Sequence, residues 1–146
     1  MKSAYQKAIV YDSETGGLKK EFNSLTELAF VAIDMETLEA VDEMEVMILA
    51  LLLFDKCYNP GAFAATGINR QMLLDEGIER GLAQKKVEAF FLKHTEGNSK
   101  PILSGHNIRK FDNPFMEKFF TLYNKDFNNF INATQMIDTI EWARLK

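Results

Sequence analysis

Apolar and polar positions change their spacing several times along the chain, and each change marks an element. Lys7 to Tyr11 is a short apolar run that stops at Asp12, the pattern of a buried strand. Leu28 to Ile33 is continuously apolar, which predicts a central strand covered on both faces. Asp34-Met35-Glu36-Thr37 predicts a turn, and a third strand follows within Met44 to Leu53. Strands this closely spaced join most simply as an antiparallel meander. Asn59-Pro60-Gly61 then breaks the chain, and Asn69 to Glu76 predicts a short helix capped by Asn69. From Gly81 onward Ala83, Val87, Phe90, Phe91 and His94 recur at helical spacing, until Gly97-Asn98-Ser99 ends the helix. Pro101 to Ser104 reads as a strand entering a loop. Pro114 sits just inside another helix, with Phe115, Phe119, Leu122 and Tyr123 on one face. A last helix begins near Asp138. Three strands followed by alternating helices and strands predict an α/β domain with a mixed sheet.

Composition supports a packed domain. A chain of 146 residues with 47% hydrophobic content and 12 phenylalanines has ample apolar volume for one core. The single Cys57 excludes an internal disulfide and suits a reducing compartment. The first residues lack a signal-type apolar run, and Val46 to Phe54 is too short to span a bilayer, so a cytoplasmic protein with no membrane partner is expected. A net charge of −4 argues against passive nucleic-acid binding through surplus cations. It does not argue against a nuclease, which needs clustered carboxylates whose bound cations reverse the local sign.

Two segments carry candidate chemistry. Asp12-Ser13-Glu14-Thr15-Gly16-Gly17-Leu18 ends the first strand, where residues two apart share a face and both carboxylates aim the same way. Paired carboxylates repel unless a cation sits between them, and such oxygen ligands suit Mg²⁺ or Mn²⁺. The alternative is a turn in which Asp12 and Thr15 satisfy backbone groups. Gly105-His106-Asn107-Ile108-Arg109-Lys110-Phe111-Asp112-Asn113-Pro114-Phe115 lies at the end of a later strand, where α/β sheets place ligands. Asp112 is there either a metal ligand or a helix cap. Arg109 and Lys110 are either phosphate contacts or a solvated charged loop.

In combination these segments resemble the DEDD-superfamily 3′–5′ exonucleases, which include ribonuclease T and the proofreading (epsilon) subunits of bacterial replicative polymerases. Asp12 to Leu18 is similar to their first motif. Leu25 to Asp34 is similar to the following strand, and Tyr58-Asn59-Pro60 with Thr66-Gly67-Ile68 to the stretch before the first helix. Gly105 to Asp112 resembles the second motif in its longer-loop form, and Ile137-Asp138-Thr139-Ile140 to Ala143-Arg144 the helix start after it.

The resemblance implies a ribonuclease-H-like mixed sheet, three antiparallel strands and then parallel ones, flanked by helices. It implies metal-dependent release of nucleoside monophosphates from 3′ ends of DNA or RNA. Asp12, Glu14 and Asp112 would be the catalytic carboxylates holding two divalent cations, Mg or Mn. Thr15, Leu18 and Thr66 would line the terminal-nucleotide pocket, and Asn107 would contact the substrate strand. Implied partners are single-stranded or frayed 3′ ends and a DNA polymerase. The family's third motif, a His or Tyr base with a final Asp, normally lies downstream of the Asp138-Thr139 helix. Residues 1–146 are thus expected to be one exonuclease domain truncated at its C-terminal end, inactive alone and prone to self-associate through Ile140, Trp142 and Leu145. Asp138 is expected to cap a helix rather than bind metal. The competing function is a catalytically inactive nucleic-acid-binding or scaffold module on the same fold.

Overall fold

The computed structural model describes residues 6–21, 23–49 and 59–143. Strands β1 (Lys7–Thr15), β2 (Leu25–Asp34) and β3 (Ala40–Leu49) form the expected antiparallel meander, with Val10 opposite Val31 and Phe30 opposite Met44. Helices α1 (Pro60–Thr66) and α2 (Arg70–Glu76) follow, and the Asn69 side chain caps α2 as its position predicted. A two-residue strand, β4 (Ile78–Glu79), runs parallel to β3 and pairs, among the described residues, with Ile48 and Leu49. Helix α3 (Arg80–Lys93) leads to β5 (Ile102–Gly105), parallel to β1. A π-helical turn, Ile108–Asp112, then runs into helix α4 (Asn113–Thr121). A 3₁₀ turn (Phe127–Phe130), strand β6 (Met136–Asp138) parallel to β5, and helix α5 (Thr139–Ala143) complete the described chain. Strand order is β4-β3-β2-β1-β5-β6, a mixed sheet flanked by helices, as the resemblance implied.

Alternation along the strands decides where the core sits. Ile9 and Tyr11 of β1, Leu28, Phe30 and Ala32 of β2, and Val46 and Ile48 of β3 are buried against Val87, Phe90 and Phe91 of α3 and Phe115, Met116, Phe119 and Phe120 of α4. Phenylalanine rings link these layers: Phe30 meets Phe91 edge-on at 5.6 Å, Phe91 meets Phe127 at 5.6 Å, and Phe127 meets Phe120 at 5.1 Å between centroids. Such pairs add about 0.5–1.5 kcal/mol each beyond the burial of their area.

Several expectations are corrected. The Leu28–Ile33 strand is covered fully on one face only; Ala29, Val31 and Ile33 are half-buried, so its unbroken apolar run reflects β propensity as much as double burial. Strand β3 starts earlier than the apolar run, at Ala40, because its first half carries polar residues outward; residues 50–53 of the predicted strand lie outside the described residues. The segment after Asn59 breaks the chain only to begin α1, with Pro60 at its first position. On α4 the core face is Phe115, Met116, Phe119 and Phe120, while Leu122 lies past the helix end and is exposed. Asp138 closes β6, and the helix starts one residue later.

Candidate functional site

The ends of β1 and β5 bring the two chemistry-bearing segments together. Parallel pairing sets Val10 beside Ser104 and Gly105 beside Asp138, so the second segment leaves the sheet next to the first. Gly105 permits this approach: a Cβ there would lie 2.7 Å from the Tyr11 carbonyl oxygen and would collide with the Ile108 side chain. The chain then turns through Asn107 in left-handed backbone at φ 58°, a conformation Asn tolerates. Asp138 fixes that turn. Its carboxylate accepts from the backbone N–H groups of Asn107 at 2.7 Å and Arg109 at 3.1 Å, and from Ile140 at the start of α5 at 3.2 Å. Burial works to raise its pKa, but the N–H groups of Arg109, Ile140 and Asn107 outweigh it and hold the carboxyl below its ordinary value. Capping is thus what Asp138 does, together with a clamp on the neighbouring loop.

Asp112 occupies the residue before α4, yet its side chain makes no capping bond. It turns instead to β1, where Oδ2 accepts from the Ser13 hydroxyl at 2.5 Å and the Ser13 N–H at 3.1 Å. The cap alternative for Asp112 is therefore excluded by geometry. Burial raises its pKa; Ser13 opposes the shift and the Asp12 carboxylate adds to it. Glu14 is raised likewise, first by burial and then by Asp12, Glu27 and Asp112. The β1–β2 register slips between Glu14 and Thr15, an irregularity of the kind that re-aims side chains at strand ends.

Asp12, Glu14 and Asp112 are thus electrostatic neighbours, all with oxygen donors that suit a hard divalent ion. Among the described residues, however, no three His, Cys, Asp or Glu side chains are gathered closely enough to hold a metal. Asp12 is exposed and lines a cleft of about 460 Å³ with His106, Thr139, Ala29 and Val31. Glu14 lines another, of about 400 Å³, with Thr15, Leu18, Ala62, Thr66 and Phe111. This second cavity contains three of the four predicted substrate contacts. The Asn59 N–H donates to the Gly16 carbonyl at 2.5 Å, drawing α1 and its Thr66 against the first motif. Thr66 and Thr15 also serve the backbone, to the Ala62 and Gly17 carbonyls respectively. Asn107, the fourth, is not among the cavity's lining residues. Leu18 stands 84% exposed at the mouth.

Other side chains settle into structural roles. His106 Nδ1 lies 2.9 Å from the Thr139 hydroxyl, and His94 is buried with Nε2 2.8 Å from Asp42. Arg109 is engaged by Glu141 at 3.1 Å and by the Met136 carbonyl, on an exposed part of the surface. Two site residues carry no signal that the sequence reading used. Ser13 sits between the acids but faces the other way, toward Asp112, and Phe111 walls the cavity just before Asp112.

No family model matches the chain. In sequence it is similar to the PolC-type DNA polymerase III of Pediococcus pentosaceus, 29% identical over 140 residues that make up 94% of this chain and 8% of the polymerase. In three dimensions it is similar to E. coli Exonuclease I in complex with a dT13 oligonucleotide, at a TM-score of 0.80 and 19% identity over 96% of this chain and 29% of that one. An ExoI/SSB-Ct complex gives a TM-score of 0.81 at 19% identity, covering 97% of this chain and 30% of that chain. The zinc-ion-bound form of an E. coli ExoI–ssDNA complex gives 0.81 at 19% identity, over 97% and 29%. The chain therefore spans less than a third of each of these proteins, and it shares the ribonuclease-H-like exonuclease fold with the solved structures.

Proposed function

We propose that this chain carries the first two catalytic motifs of a metal-dependent 3′–5′ exonuclease that releases nucleoside monophosphates from single-stranded or frayed ends, working beside or within a DNA polymerase. The observation that carries this reading is Asp112: a helix-start carboxylate turned away from its helix and held by Ser13, while the adjoining Phe111 and Glu14 line a cavity also walled by Thr15, Leu18 and Thr66. Asp12, Glu14 and Asp112 would hold divalent ions, Mg or Mn, which supply an acidified water and stabilise the departing 3′-oxygen. The chain's own share is positional. Ser13 fixes one oxygen of Asp112, and the cavity seats the terminal nucleotide against Leu18 and Phe111. The similarity to a PolC-type polymerase and to a structure holding dT13 supports nucleic acid as the substrate class. Among the described residues no helix is long and apolar enough to cross a membrane.

A second reading, an inactive binding module on the same fold, is favoured by one observation: the carboxylates do not form a closed ion cage among the described residues. Two measurements separate the readings. Mn²⁺ titration followed by electron paramagnetic resonance is expected to show ions taken up by the protein and lost in Asp12→Ala. Joined to a third motif of the kind the resemblance implies, a His or Tyr base with a final Asp, the chain is expected to digest a single strand labelled at its 5′ end, with Mn²⁺, to a ladder of shortening labelled products. Release of a labelled mononucleotide at once would reverse the polarity and end the exonuclease reading. No Mn²⁺ uptake and no ladder would leave the binding module.

A further inference from the structure

A third cleft, of about 290 Å³, opens beside the Glu14 cavity and shares its Leu18 and Phe111 wall. Its remaining lining is Lys19, Lys20, Glu21, Lys110, Pro114 and Phe115. The shared wall makes the two clefts neighbours, and their chemistry differs sharply. The first is apolar with a single carboxylate; the second sets three lysines against one glutamate. In a chain of net charge −4 this is a local concentration of positive charge, not a share of a general excess. Lys19, Lys20 and Lys110 are exposed, and none forms an ion pair among the described residues.

The loop that presents them is held in shape. A Cβ at Gly17 would collide with the Asn23 carboxamide, so glycine lets the loop close on itself. Asn23 accepts from the Lys19 N–H at 3.0 Å and donates its own N–H to the Lys19 carbonyl at 2.7 Å. Lys118 of α4 donates its ammonium to the Lys20 carbonyl, anchoring the loop beside the π-turn that carries Lys110. Side chains on a braced loop lose less freedom when an anion arrives than side chains on a free one.

We propose that this cleft binds the phosphodiester backbone of a single strand just upstream of the terminal nucleotide, with Lys19, Lys20 and Lys110 contacting successive phosphates. The inference rests on the Glu14 cavity being the seat of the strand end. Lysines reading phosphates hold a strand regardless of its bases, which is what an enzyme shortening one nucleotide at a time requires.

The test is binding of fluorescein-labelled dT12 to the 146-residue protein in EDTA, where no cleavage occurs, by anisotropy across a series of salt concentrations. Each phosphate contact on a single strand contributes about 0.7 to the slope of log K against log salt. The variant K19A/K20A/K110A is expected to bind more weakly at low salt and to show a slope shallower by about 2. The charge-conserving K19R/K20R/K110R should bind as the parent does. Removing as much charge from exposed lysines elsewhere, in K85A/K86A/K100A, should leave the slope in place. A parental slope in K19A/K20A/K110A, or an equal loss in the control variant, overturns the cleft. If the slope depends on these lysines but the protein takes up no Mn²⁺, the cleft stands and the exonuclease reading falls.

Discussion

Asp112 is buried beside another carboxylate and receives its hydrogen bonds from Ser13. Because its pKa is raised in the folded protein, the folded state holds that proton more tightly than the unfolded chain does. Its contribution to stability is therefore best in acid and declines as pH rises from the usual carboxylate value through the raised one. At pH 7.5 in EDTA the charged side chain costs stability. Asp112→Asn, which can still accept from Ser13, is expected to raise Tm by a few degrees, roughly 1 kcal/mol for a domain of this size. The same variant should lose the stabilisation that Mn²⁺ gives the parent in a calorimetric scan. A lower Tm in EDTA would mean that the charge anchors the turn. Ser13→Ala should act in the opposite sense, costing about 1–2 kcal/mol by leaving a buried carboxylate short of a donor. Asp12 and Glu14 were legible because acids two apart at a strand end form a pattern. Ser13 was not, since its meaning lies in a partner 99 residues away.

Among elements, the meander and α3 were legible because apolar runs and helical spacing each lasted long enough to set a period. The π-helical turn, β6 and β4 were not. Five, three and two residues carry no periodicity, and their conformation comes from neighbours: Asp138 for the turn, β5 for β6 and β3 for β4. The Asn59-Pro60-Gly61 breaker concealed α1 because the same residues that end one segment also start a helix. Between β3 and α3 one polar tie spans the layers. Lys93 and His94 both reach Asp42 Oδ2 at 2.8 Å. Hydrogen bonds from Lys93, then from His94, hold the Asp42 carboxyl down to about 2 from a usual 3.8. A depressed carboxylate adds stability that is present above its unfolded pKa and lost as pH falls toward the folded value. Denaturant titrations should show part of the protein's stability disappearing between about pH 4 and pH 2, and Asp42→Asn should remove that part of the pH dependence. An unchanged acid limb would assign it to other carboxylates.

Across the whole molecule, stability should depend on the ring network that joins sheet, α3, the 3₁₀ turn and α4. Phe91 is fully buried and touches Phe30, Phe90 and Phe127. Phe91→Ala is expected to cost about 3–5 kcal/mol in urea unfolding; a loss below 1 kcal/mol would mean the layers repack around the gap. Such a cost is a large share of the total stability of a domain this size. The meander could be read early because short connections favour antiparallel neighbours, whereas the parallel strands beside it were implied by the resemblance. The site's depth could not, since which carboxylate lines which cleft depends on packing between segments about a hundred residues apart.

Strand β3 has one more consequence. Beyond the two residues that pair with β4, its outer backbone from Ala40 to Met47 is unpartnered by any described strand. A free margin of that length is a template on which a second molecule can extend the sheet. Glu43 and Glu45 lie along it, so two margins brought together would oppose carboxylate to carboxylate. The guard against fibrous growth is thus electrical rather than steric, and it should fail once acid discharges it. Light scattering in concentrated solution is expected to rise on acidification, and at a higher pH in Glu43→Gln/Glu45→Gln than in the parent.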